Sequence, residues 1–194
     1  WLAGRGYNVL GVSFPAAFAG AEDQVRGPFL TVLWENLTDP ILTGREELGF
    51  AKVYCELPEP TVLRGDWHCT AAWLGFKFLD LRVTDLRAGT DPGATHDQSN
   101  DGTLHFKYIP KTGDWGTADV AYPVFTPATG SNERVLEHWS GQGCIQFHRA
   151  AWEDMPTQYN IVNAFAALPI VEYRDASVTK SVGAKDLSDQ RMLR

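Results

Sequence analysis

The sequence has few cysteines, fewer basic than acidic residues and no long apolar segment. Its three cysteines are an odd number without a Cys-x-x-Cys spacing, so we interpret them as small core residues of a reducing compartment, not as a disulfide framework. The formal net charge of −7 argues against nucleic acid and against an anionic membrane as partners. No apolar run reaches the roughly 18 residues that cross a bilayer. These absences together favour a cytoplasmic protein.

The composition that remains is that of an ordinary globular chain. It has 194 residues, of which 44% are hydrophobic and 21% charged. This length suits one domain with a sizeable core, so we expect a single domain over residues 1–194. The chain opens at Trp1 without a methionine, directly before an apolar stretch, and we expect that an N-terminal segment is missing from it.

Most of the sequence has strand character. Segments rich in Val, Leu, Phe, Tyr and Trp are separated by Gly, Pro, Asp and Asn. Apolar residues alternate in Leu104-Phe106-Tyr108, which predicts a half-buried strand. The predicted strands are Tyr7 to Phe14, Pro28 to Trp34, Phe50 to Leu57, His68 to Leu74, Gly75 to Thr84, Thr103 to Ile109, Ala118 to Phe125, Gly143 to His148 and Ile170 to Lys180.

Two short helices interrupt the strands. Asp39 with Pro40 predicts a helix through Glu47, and Asp154 with Pro156 predicts one through Leu168. Many strands with few helices indicate a mainly β (α+β) fold, either a barrel or a sandwich. The polar segment 89–102 is predicted to be a turn region, and the polar tail after Ser181 is predicted to be peripheral.

The segment GREELGFAKV, residues 44–53, carries the most chemical information. Gly49 is suited to end the helix, and the following strand places Phe50, Lys52 and Tyr54 on one face. Two interpretations compete for Lys52. It points to water from a half-exposed strand, as most lysines do, or it is buried among aromatic rings. Burial disfavours the charged form of a lysine, and a neutral amine can attack a carbonyl.

This segment resembles the signature of the acetoacetate decarboxylase family, in which Gly-Arg-Glu is followed after five residues by a lysine at the head of a strand. Further landmarks resemble the same family in the same order over residues 5–175. They are Gly27-Pro28-Phe29, Trp34-Glu35-Asn36, Tyr108-Ile109-Pro110, Glu137-His138-Trp139-Ser140-Gly141 and Met155-Pro156.

The resemblance implies a cone-shaped antiparallel β-barrel with a few short helices, usually in a homo-oligomer. It implies that Lys52 forms a Schiff base with a small keto acid or ketone, which makes the chain a lyase that needs no metal or organic cofactor. The protonated imine would assist decarboxylation or aldol and dehydration chemistry through an enamine. The alternative is a β-barrel of the same fold that binds a small molecule without turnover.

Two departures from the family pattern concern the pocket. The second lysine that follows the first in typical decarboxylases is here Val53, and a glutamate of the decarboxylase pocket aligns with Val9. The remaining arginine and glutamate of that pocket would lie before Trp1. The pocket can therefore be incomplete, which favours the binding alternative.

Other candidate residues flank the signature. Arg45 and Glu46 either organise the helix before Lys52 or form a surface ion pair. Phe50, Tyr54 and Tyr173 are candidates to line the pocket. The five histidines show no metal-ligand spacing, and we expect no metal site. Residues 96–102 resemble a calcium loop without its terminal glutamate, and we interpret them as a turn.

Overall fold

The computed structural model describes residues 5–89, 102–127, 132–183 and 189–194, and within these ranges the protein is mainly β with two helices. The turn and calcium-loop predictions for residues 90–101 lie outside the described residues. The elements in chain order are β1 Val9–Ala19, β2 Gln24–Glu35, α1 Thr38–Glu46, β3 Lys52–Tyr54, β4 Thr61–Leu63, β5 Asp66–Trp73, β6 Phe76–Gly89, β7 Gly102–Pro110, β8 Ala118–Pro127, β9 Arg134–Phe147, α2 Tyr159–Ala167, β10 Ala176–Val182 and β11 Arg191–Met192.

The chain packs as two compact units, each with its own sheet. The first unit contains β1, β2, α1, β3, β7, β8 and β11. Its sheet has the strand order β1-β2-β7-β8-β11, and β3 pairs with β2. The pairings of β2 with β3 and with β7 are parallel, and the other pairings in this sheet are antiparallel.

The second unit contains β4, β5, β6, β9, α2 and β10. Its sheet has the order β10-β9-β6-β5-β4, and all of these pairings are antiparallel. The predicted mainly β fold class is thus confirmed. In the described part of the chain, no helix is long and apolar enough to span a membrane.

The end of the chain contributes to the core of the first unit, contrary to the prediction of a peripheral tail. Leu193 is buried with Val25, Leu104 and Phe125. β11 adds to the edge of β8, and the N–H of Leu193 donates to the carbonyl of Pro123 at 3.0 Å. A single leucine in a polar tail is a weak sequence signal, so the prediction missed its burial. In the folded chain, removal of the Leu193 side chain from water stabilises the packing of this segment.

Both helices begin at other residues than predicted. Leu37 occupies the N-cap position of α1 without a capping side-chain hydrogen bond, and Asp39 lies in the first turn, where its negative charge is near the positive end of the helix dipole. α2 begins at Tyr159 and not near Asp154. The carboxylate of Asp154 instead accepts a hydrogen bond from the N–H of Ala151 at 2.8 Å, which closes a turn before the helix.

The apolar alternation in β7 agrees with burial only at Leu104. Phe106 and Tyr108 are exposed, whereas Leu104 and His105 are both buried. His105 is buried because hydrogen bonds satisfy both nitrogens of its ring. The periodicity of apolar residues cannot reveal such a polar core position.

Candidate active site

Lys52 is positioned by the connection between α1 and β3. Gly49 has a φ of +73°, a left-handed conformation that glycine adopts without strain, and it turns the chain out of the helix as predicted. The N–H of Phe50 donates to the carbonyl of Gly44 at 3.0 Å, and the N–H of Leu33 donates to the carbonyl of Ala51 at 2.9 Å. These bonds fix the backbone immediately before Lys52, which pairs with Leu33 of β2.

The side chain of Lys52 is buried and forms an ion pair with Glu35. The residue is 9% exposed, Glu35 is 1% exposed, and Nζ lies 2.7 Å from Oε1 of the carboxylate. Of the two interpretations of Lys52, the one in which the side chain points to water is therefore wrong, and the one in which it is buried agrees with the structure. Burial disfavours both charges of such a pair, whereas their short separation favours them. Lys52 thus has a proton acceptor in direct contact.

The two carboxylate oxygens of Glu35 have different surroundings. Among the described residues, its buried Oε2 has no hydrogen-bond partner. An unsatisfied buried oxygen is costly, and such atoms are a feature of functional sites. In the sequence, Glu35 is part of a family landmark, Trp34-Glu35-Asn36, that predicts no role for this carboxylate. The available signal was a carboxylate at the end of the apolar run of β2, on the same face as Leu33.

Sheet register brings Val9 next to this carboxylate. Val9 of β1 lies directly opposite Glu35, so both side chains leave the same face of the sheet. Glu35 thus places a carboxylate on β2. The family pattern has its carboxylate at the facing position of β1, which is Val9 in this chain. Tyr7 lies near the same end of β1. Burial, and to a smaller extent the negative charge of Glu35, raises the pKa of Tyr7 above its ordinary value.

Gly44 of the signature packs directly against the Lys52 side chain. A Cβ added at Gly44 would collide with Cδ, Cε and Nζ of Lys52. Gly44 is itself buried and lies in the last turn of α1. The glycine therefore keeps open the space that the lysine side chain occupies, which gives a steric reason for this residue type in the signature.

Phe50 contacts Lys52 and connects it to a buried polar network. The Nζ of Lys52 lies 5.9 Å from the centre of the Phe50 ring, within the range of a cation–π interaction. The ring of His105 stacks on that of Phe50, with 4.2 Å between the ring centres. Phe50 thus lies beside Lys52, and its role in lining a substrate pocket stays a prediction.

The hydrogen bonds of His105 define its tautomer. Nδ1 lies 3.1 Å from the carbonyl oxygen of Gly49, which can only accept, so Nδ1 carries the proton. Nε2 then accepts, with the amide nitrogen of Gln190 at 3.1 Å and the hydroxyl of Thr126 at 3.2 Å. Burial lowers the pKa of His105, although its bond to Gly49 opposes that shift. A neutral His105 therefore holds the loop that carries Phe50.

The other predicted site residues occupy different surroundings. Arg45 and Glu46 are exposed on α1, and the carbonyl of Glu46 accepts a hydrogen bond from Nζ of Lys107 at 2.9 Å. Tyr54 shares the face of Lys52 but is 41% exposed. Tyr173 belongs to the second unit and precedes β10, contrary to the predicted strand. Its hydroxyl donates to the carbonyl of Ile145 at 3.1 Å.

The cysteines and histidines give no metal centre in the described ranges, where no group of three ligating side chains is suitably placed. Cys55 is buried, as predicted, and burial raises the pKa of its thiol to about 12. Cys144 is exposed, so the core interpretation is wrong for it. His68 and His148 instead contact the two oxygens of Asp80, at 3.1 and 2.7 Å.

The fold and the buried lysine beside a carboxylate together define a mainly β protein with a lysine-centred site. The family model for acetoacetate decarboxylase (ADC) matches residues 1–186. The chain belongs to the acetoacetate decarboxylase family, which confirms the resemblance in the sequence. A comparison with curated protein sequences gives no match.

Solved structures of similar fold include family members. An acetoacetate decarboxylase is 17% identical, with 96% of this chain and 68% of that chain covered and a TM-score of 0.69. The acetoacetate decarboxylase of Legionella pneumophila is 18% identical, with 97% and 67% covered and a TM-score of 0.66. The enduracididine biosynthesis enzyme MppR, solved with pyruvate, is 17% identical, with 96% and 66% covered and a TM-score of 0.63. The chain thus spans about two thirds of these proteins and shares their fold.

Proposed function

We propose that this protein is a lyase that forms a Schiff base between Lys52 and the carbonyl carbon of a small keto acid or ketone. The observation that carries the proposal is the contact between the buried amine of Lys52 and the carboxylate of Glu35. A buried lysine needs a partner that can remove its proton before it attacks a carbonyl, and Glu35 is at hydrogen-bond distance. The structure of MppR with pyruvate supports a small carbonyl compound as substrate.

The chemistry follows from these two side chains. Glu35 accepts one proton from the Lys52 ammonium, and the neutral amine adds to the carbonyl carbon. One proton of the attacking nitrogen moves to the carbonyl oxygen, which becomes a hydroxyl. The protonated Glu35 then gives its proton to this hydroxyl, which leaves as water, and the nitrogen keeps its remaining proton as an iminium. The iminium withdraws electrons from the neighbouring carbon–carbon bond, so that its cleavage leaves an enamine. No step of this sequence uses a metal or an organic cofactor.

Exchange of hydrogen at the carbon next to the carbonyl tests turnover. Each passage from iminium to enamine and back in D2O places deuterium on that carbon, which NMR detects in acetone or pyruvate. We expect exchange above the buffer rate with the protein, and none above that rate with Lys52→Arg. Arginine keeps a positive charge beside Glu35 but does not act as an amine nucleophile.

The opposite result is equally informative. Buffer-rate exchange with the folded wild type would contradict the lyase proposal and favour the alternative of a barrel that binds a small molecule without turnover. Assembly into a homo-oligomer and a cytoplasmic location belong to the same proposal, since they follow from the family resemblance and from the composition.

A further inference from the structure

We infer that His105 is a positioning residue for Lys52. The hydrogen bond from its Nδ1 to the carbonyl of Gly49 fixes the connection between α1 and β3, and with it the place of the reacting amine. The inference rests on the proposed function and deepens it, because it names a residue outside the signature on which the rate of Schiff-base formation depends. His105 acts through Gly49 and Phe50.

The amine of Lys52 has little freedom of movement at the site. Its Nζ lies 2.7 Å from Oε1 of Glu35, and its side chain packs so closely on Gly44 that a Cβ added there would overlap with it. Enzymes gain rate by holding the reacting atoms in a defined geometry, and a displacement of about 1 Å can cost about 100-fold. A shift of the backbone at Lys52 therefore changes the reactivity of its amine.

Backbone contacts transmit the position of Gly49 to Lys52. The N–H of Lys52 donates to the carbonyl of Phe50 at 2.8 Å, and the N–H of Phe50 donates to the carbonyl of Gly44 at 3.0 Å. Gly49 has a φ of +73°, so the chain turns sharply just before these bonds. A movement of the Gly49 carbonyl therefore moves the start of β3.

Two side chains of β7 hold this connection. His105 and Lys107 are two residues apart and therefore lie on the same face of the strand. Nδ1 of His105 donates to the carbonyl of Gly49 at 3.1 Å, and Nζ of Lys107 donates to the carbonyl of Glu46 at 2.9 Å. The stem of Lys107 also packs on Gly49, where an added Cβ would lie 2.7 to 3.0 Å from its carbons. One strand thus fixes both the end of α1 and the turn that follows.

The surroundings of the other ring nitrogen keep the proton of His105 on Nδ1. The hydroxyl of Thr126 and the amide of Gln190 contact Nε2 at 3.2 and 3.1 Å, and that amide also donates to the Thr126 hydroxyl at 2.8 Å. A ring nitrogen that accepts carries no proton, so the proton of the neutral ring points to Gly49. His105 is buried, and water therefore does not compete for this bond.

Two amide variants separate the bond to Gly49 from the other contacts of His105. Asparagine carries its amide nitrogen at the δ position, where it can donate to Gly49 as Nδ1 does. The amide nitrogen of glutamine is at the ε position, on the side of Thr126. Both variants lack the ring that stacks on Phe50, so a difference between them reports on the bond alone.

His138→Gln is the matched control. His138 is also a buried histidine with hydrogen bonds at both ring nitrogens, to the hydroxyls of Thr179 and Ser140. It belongs to the second unit, whereas Lys52 and His105 belong to the first. The control therefore measures the effect of losing a buried histidine without a change at the connection before Lys52.

The measured quantity is the rate of borohydride trapping on Lys52 per folded molecule. Each protein is incubated with acetone or pyruvate and with borohydride, and the reduced adduct on Lys52 is quantified by mass spectrometry over time. Circular dichroism gives the folded fraction, which corrects for stability. We expect His105→Gln to react at least about tenfold more slowly than the wild type, His105→Asn to recover most of that loss, and His138→Gln to match the wild type.

The outcomes distinguish this inference from the proposed function. Equal rates in His105→Asn and His105→Gln, or a wild-type rate in His105→Gln, would overturn the inference, while an adduct on Lys52 of the wild type upholds the proposed function. Slowing of the same size in His138→Gln would also overturn the inference, since the loss would then be a general effect of removing a buried histidine. No adduct in the wild type with either compound would overturn the proposed function, and this inference with it.

Discussion

At the scale of single residues, the site depends on how closely Gly44 approaches Lys52. The glycine lies on α1 and the lysine on β3, and the lysine side chain fills the volume that any larger residue at position 44 would need. The signature thus contains both the proposed nucleophile, Lys52, and the glycine that leaves space for its side chain, Gly44. Lys52 has its side chain confined by Gly44 on one side and held by the carboxylate of Glu35.

Substitution of Gly44 by alanine should therefore impair Lys52. The added methyl group must displace the lysine side chain from its contact with Glu35, and overpacking of a buried position typically costs about 1–3 kcal/mol. We expect the free energy of unfolding to fall by about that amount, and borohydride trapping on Lys52 to slow. Urea unfolding and mass spectrometry measure the two effects.

Gly89→Ala is the matched control, because no atom of the described residues lies within 4 Å of a Cβ added at Gly89. This variant should resemble the wild type in both measurements. Unchanged trapping in Gly44→Ala would show that the lysine does not require the geometry described here.

The residue scale also shows which part of the site the sequence could reveal. Lys52, Phe50 and Gly49 lie within one short segment, so a local motif was sufficient to predict the nucleophile, its aromatic neighbour and the end of the helix. Glu35 lies on another strand and reaches Lys52 only through the parallel pairing of β2 with β3. A pairing of that kind leaves no periodic signal in the sequence, and the carboxylate was therefore missed.

At the scale of elements, β7 and β8 support the loop that carries Phe50. His105 of β7 bonds to the carbonyl of Gly49 and, through its other nitrogen, to Thr126 of β8 and to Gln190. The strands themselves were predicted well, since β-branched and aromatic residues cluster in them. The buried polar contacts between the strands were not predicted, because no periodic pattern in the sequence indicates that a histidine is buried.

This network makes stability depend on pH. Burial lowers the pKa of His105 below its ordinary value of 6.5. The unfolded chain then takes up a proton at a higher pH than the folded protein does, so the free energy of unfolding falls as the pH drops below about 6.5. Urea unfolding at about pH 7 and about pH 5.5 measures the loss.

The variant His105→Gln isolates the contribution of this residue. Glutamine does not titrate, so the variant should lose less stability on acidification than the wild type, by up to about 1.4 kcal/mol per pH unit. Equal losses in the two proteins would show that His105 is not held neutral by the fold. The other histidines are present in both proteins and cancel in the difference.

At the scale of the whole molecule, the family assignment and the architecture agree while the chemistry rests on a few positions. The family model matches residues 1–186, and similar structures at 17–18% identity share the fold. A fold at that level of identity does not specify a reaction. The buried pair of Lys52 and Glu35 gives the proposed function its chemical content.

The most direct test of that content is the location of the trapped adduct among the six lysines of the chain. The protein is treated with borohydride and either acetone or pyruvate, digested, and each lysine-containing peptide is quantified by mass spectrometry. We expect an adduct on Lys52 that is absent in Lys52→Arg, with no comparable labelling of the exposed Lys77, Lys111 and Lys180. Labelling spread evenly over the exposed lysines, with Lys52 unmodified, would contradict the proposed function.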